Sequence, residues 1–60
     1  MFAFDKLVQE LATATGETGP RLEVMAFAAA QVLAISAGDK SAVAFFADQI
    51  CRSAQKLLLH

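Results

Sequence analysis

The chain has 60 residues, 57% of them hydrophobic and 18% charged, with a formal net charge of −1 at pH 7. That balance removes the electrostatic argument for nucleic acid or an anionic membrane as partner. A single cysteine excludes an internal disulfide, and one cysteine with one histidine cannot build a structural zinc site.

One domain is expected, at the small end of what folds alone. The entropy of ordering so short a chain nearly cancels the gain from apolar burial, and disulfides, metals or partners usually supply the difference. With the first two removed, a partner is expected. A mean hydropathy of +0.50 agrees, being high for an ordinary soluble surface. Residues 1–30 set Asp5, Glu10, Glu17 and Glu23 against Lys6 and Arg21, and residues 31–60 set Asp39 and Asp48 against Lys40, Arg52 and Lys56. Neither half is an acidic or basic tail. Asp5 closely follows the start and no charged segment precedes an apolar core, so no secretory signal is expected and the default setting is cytoplasmic.

Phe4, Leu7, Val8, Leu11 and Ala12 form a helical stripe, opposed by Asp5, Lys6, Gln9 and Glu10. A short amphipathic helix is expected over about residues 3–14, marginal by itself and stabilised by docking. Met1 and Phe2 extend its apolar face or fray, and Phe2 is a candidate partner contact.

From Thr13 to Pro20 the glycines, threonines and proline break the pattern, and residues 15–19 read as a linker. A phosphate-binding loop would need a lysine in register after the glycines and a strand before them, and neither is present. Pro20 suits the first turn of the next helix, where its missing N–H is not needed.

That helix, expected over about residues 20–37, organises the chain. Val24 to Ile35 carries almost no polar residue, and a helix apolar all round must be buried on every side. Ala26, Ala30, Ala34 and Gly38 recur every four residues and would let another helix backbone approach closely. With so little chain to cover them, the first three are assigned to a seam between two copies. The same spacing occurs where membrane helices pack. The uncharged run from Val24 to Gly38 spans about 15 residues, roughly 22 Å of helix against a ~30 Å hydrocarbon core. Gln31 has two readings, a pair with its symmetry mate or a hydrated rim position.

Gly38 can end the helix in a left-handed conformation and Asp39 can cap the next, which makes a tight corner. The last helix, about residues 39–59, places Val43, Phe46, Ala47, Ile50, Cys51, Ala54, Leu57 and Leu58 on one face. Asp48 and Arg52 have the i, i+4 spacing of a helical ion pair. Lys56 and His60 suit the negative end of the helix dipole. Phe45 falls off the stripe and, with Arg52, is a candidate partner contact.

Cys51 reads first as a small buried filler and second as a thiol meeting its mate across a two-fold axis. A catalytic thiolate is the weakest reading, with Arg52 the one cation nearby to support an anion. Nine positions separate His60 from Cys51 and set them on opposite sides of a helix, so joint metal binding within one chain is not expected. No Ser, His and Asp set can be assembled and the carboxylates are scattered singly, so no catalytic residue, cofactor or metal is assigned.

The expectation is an all-α, three-helix protomer assembled as a homodimeric helical bundle. Its function would be that of a small non-catalytic interaction module: an adaptor, assembly subunit or inhibitor of a larger protein. Phages and other mobile elements often carry such modules, an association of size and class that no residue here carries. The alternative is a helix-turn-helix-like DNA-binding regulator, with Lys40, Ser41 and Ala44 facing DNA, although positive charge is sparse there. The third is a small membrane-associated protein with the central helix inserted.

Overall fold

In a computed structural model, which describes residues 3–59, the three periodic segments are three α-helices. They are α1 (Phe4–Thr15), α2 (Gly19–Ala37) and α3 (Lys40–Leu58), with no strand among the described residues. The expectations placed on Met1, Phe2 and His60 lie outside those residues.

Glycine ends the first two helices. Gly16, at φ 74°, closes α1 by donating its N–H to the Ala12 carbonyl. At the end of α2, Gly38 lies at φ 72° and donates to Ile35 O at 3.1 Å, while Asp39 N–H reaches back to Ala34 O at 3.0 Å. These paired bonds satisfy carbonyls that a helix end leaves open, and they need the left-handed residue that glycine adopts without penalty. One residue on, the Asp39 carboxylate accepts the Ala42 N–H at 3.1 Å and caps α3. Stop and start share adjacent residues, so the chain reverses sharply.

The reversal makes α2 and α3 an antiparallel hairpin packed along its length. Cross-links climb one helix as they descend the other: Gln31 to Val43, Phe27 against Phe46, and Glu23 to Ser53 and Lys56. α1 packs on α2 and its backbone does not approach that of α3. It is joined to the hairpin by stacked rings, Phe4 lying 5.1 Å from Phe27 and 6.3 Å from Phe46. The result is a thin layer whose Cα trace measures 34 × 24 × 13 Å.

The alanine row of α2 is the core of this layer. Ala26 is 0% exposed, Ala30 1% and Ala34 7%, all covered within one chain. This corrects the inter-copy seam assigned to them. The small side chains do admit close helices, but these belong to the chain itself, α1 and α3 both packing on α2 and the turn at Gly38-Asp39 bringing α3 alongside. Among the described residues no large side chain is fully buried, so the rings and aliphatic groups around the row are half-covered at best.

The inward face of α3 keeps Val43, Phe46, Ile50 and Ala54 of the expected stripe, all half-buried, and departs from it elsewhere. Ser53 is buried, and Ala42, Phe46 and Gln49 share its row in half-buried positions, whereas Ala47, Cys51, Leu57 and Leu58 are exposed. Cys51 is therefore no buried filler. The buried face is rotated from the expected stripe toward Ser53, with Phe46 common to both.

Candidate interaction surface

Two open grooves flank the upper half of the hairpin. The first, about 460 Å³, is lined by Ala30, Leu33, Ala34, Ala37, Ala42 and Phe46, with Asp39 at its end. The second, about 390 Å³, is lined by Ile35, Gly38, Lys40, Val43, Ala44 and Ala47. Large apolar side chains stand in the open around both, among them Val32 at 64% exposure and Ile35 at 60%. Leu33, Phe45, Leu57, Leu58 and Leu59 are exposed as well. Large apolar side chains exposed in this number are unusual for so small a domain, and apolar patches on a surface mark interaction sites.

Of the residues singled out for a partner, Phe45 and Arg52 stand seven positions apart on one face of α3, both exposed. Phe45 is exposed and meets Phe46 edge-on at 5.3 Å, so its ring extends the aromatic cluster to the surface. Arg52 is exposed and its Nε donates to Asp48 Oδ2 at 2.8 Å, along the same helix. Exposed pairs of this type contribute about 0.3–0.5 kcal/mol. Phe2 lies outside the described residues.

The most organised polar group in the chain was not legible as one in the sequence. Ser53, 3% exposed, donates its hydroxyl to Glu23 Oε2 at 3.0 Å, and Lys56 Nζ donates to the same oxygen at 3.2 Å. A buried hydroxyl needs a partner, and a carboxylate is a strong one. Ser53 and Lys56, spaced i, i+3, form one edge of α3, and that spacing was the only available signal. The hydroxyl proton points to Glu23 and neither groove reaches the cluster, so what this arrangement does is hold α2 to α3. Gln31 resolves similarly. Its side-chain amide donates to the Val43 carbonyl at 3.2 Å, within the chain and half-buried, a partner that neither reading foresaw. Glu17 and Arg21 form a further helical pair at 3.4 Å.

Lys40, Ser41 and Ala44 are all exposed. In a helix-turn-helix the two helices diverge by about 90–120°. Here α2 and α3 run side by side, so the end of α3 is not offered to a groove in that manner. Among the described residues no group of three His, Cys, Asp or Glu could hold a metal. α2, at 19 residues and mean hydropathy 1.2, is long and apolar enough to cross a membrane by length and composition, and 17% of that window is buried inside the chain.

No protein-family model, no curated protein and no solved structure matches this chain.

Proposed function

We propose that this chain is a small non-catalytic interaction module, a homodimer in its working form, that acts by occupying a surface on a larger protein as an adaptor, assembly subunit or inhibitor. The observation that carries this reading is the unfinished core: among the described residues no large side chain is fully buried, while Val32, Leu33, Ile35 and Phe45 stand exposed. A folded monomer of 6.4 kDa should expose about 3,800 Å². This chain exposes 4353 Å². The polar groups that are organised serve the fold rather than a reaction. Sedimentation equilibrium from 1 to 100 µM protomer is the test. A mass above 6.4 kDa that falls on dilution supports self-assembly. A monomer throughout the range, melting cooperatively, refutes it.

A second reading has a specific observation in its favour. α2 meets the length and hydropathy of a membrane-crossing segment with little of it covered, so the chain could be membrane-associated. Against this, Arg21 and Glu23 lie in its first turns, and Glu23 is bonded to Ser53 and Lys56. Recovery of the expressed chain in the membrane pellet after a carbonate wash would favour this reading, and recovery in the detergent-free supernatant would exclude it.

A further inference from the structure

We propose that α1 is a hinged cover on the α2–α3 hairpin: it pivots between Gly16 and Gly19, is latched at its far end by Phe4, and releases as one unit while the hairpin stays folded. This rests on the fold alone and is independent of the self-assembly proposed above.

The three helices are not held equally. Among the described residues, the side-chain bonds that cross between helices run from Gln31 to Val43 and from Glu23 to Ser53 and Lys56. Each of them joins α2 to α3. The paired backbone bonds at Gly38 and Asp39 tie the same two helices at their shared end. α1 contains no buried residue, and its apolar stripe of Phe4, Leu7, Val8, Leu11 and Ala12 is half-buried. It is docked less extensively than α3 is. A helix of 12 residues is marginal in water by itself, so undocked α1 has little to keep its backbone bonds closed. Partial openings of a native chain take place where buried apolar contact is least.

Hinge and latch sit at opposite ends of α1. Gly16 at φ 74° and Gly19 at φ 62° bracket Glu17 and Thr18, and a Cβ added at either glycine would meet no atom within 4 Å. Glycine moves freely through backbone regions closed to other residues, so the connector can turn without strain. The bonds around it are local: Thr15 Oγ1 accepts the Glu17 N–H at 3.1 Å, and Glu17 pairs with Arg21 at 3.4 Å. At the other end, Phe4 stacks on Phe27 and also meets the Phe46 ring, which couples α1 to both helices of the hairpin. Twelve positions separate Phe4 from Gly16, a lever of roughly 18 Å. Release withdraws Phe4 from the cluster and uncovers the side of α2 that carries Phe27. The hairpin keeps its own ring pair, Phe27 with Phe46 at 6.2 Å.

Native-state hydrogen exchange of the full chain, read amide by amide by NMR at one protomer concentration, tests this. Amides from Val8 to Thr15 are expected to share one protection factor, about 10-fold or more below those of Ala30, Ala34 and Phe46. Phe4→Ala should speed exchange of the α1 set by a further factor of about 10 or more and change the α2–α3 set less than about 3-fold. Phe45→Ala, which trims an exposed ring that meets Phe46, is the control and should leave α1 exchange within about 3-fold of the parent. Equal protection in all three helices, or a joint change of all three in Phe4→Ala, would show that the chain opens only as a whole and overturn the proposal. A gradient of protection along α1 would show fraying from its end and overturn it as well. The pattern in the parent chain decides the matter by itself should Phe4→Ala not fold.

Discussion

Replacing Ala26 with leucine tests the central packing argument most directly. Ala26 is 0% exposed and lines neither groove, so the three added carbons have no void to enter. They must push α2 away from the helices packed on it. Overpacking of this kind costs about 1–3 kcal/mol. In a domain this small each kcal/mol moves the midpoint by about 4–8 °C, so a fall of roughly 5–20 °C is expected. Ala34→Leu is the matched control. Ala34 is 7% exposed and borders the groove formed with Leu33, Ala37, Ala42 and Phe46, into which the longer side chain can extend. Its midpoint should stay within about 5 °C of the parent, since alanine and leucine differ little in helix propensity. Both should be melted by circular dichroism at one protomer concentration, because association makes the midpoint concentration-dependent. An unchanged midpoint for Ala26→Leu, or a larger fall for Ala34→Leu, would refute the close approach of helices at the alanine row.

Ser53→Ala removes the hydroxyl donated to Glu23 and should destabilise by about 1.5 kcal/mol in urea unfolding, the low end for a bond to a charged group, since Lys56 and water remain to the carboxylate. Gly38→Ala meets no atom within 4 Å, so its cost is purely conformational: about 1–2 kcal/mol for a left-handed alanine at φ 72°, read as a lower denaturant midpoint with an unchanged slope. Asp39→Ala should cost about 1 kcal/mol by loss of the α3 cap, and Asp39→Asn should restore most of it. Arg52→Ala should change stability by less than about 0.5 kcal/mol, as expected of an exposed helical pair.

Much of the local architecture was legible in the residues because it is decided locally. Stripes at helical period mark all three helices, Gly38 and Asp39 mark the reversal, and Asp48 with Arg52 mark an ion pair, since each depends on neighbours within a turn or two. Periodicity also identified the alanine row as a place of close helix approach. What it could not say is which helix approaches. Ala26, Ala30 and Ala34 would accept a second copy or their own α3 equally well, and the tight corner settles the matter by making the internal helix available without any loss of translational freedom. The face of α3 was likewise undecidable from hydropathy. The expected stripe and the buried face differ by part of a turn and share Phe46, and the buried Ser53 donates its hydroxyl to a carboxylate on another helix, 30 positions away in sequence. The three folded helices then leave Val32, Ile35 and Cys51 uncovered, an outcome of their arrangement in a thin layer that no single stretch of sequence contains.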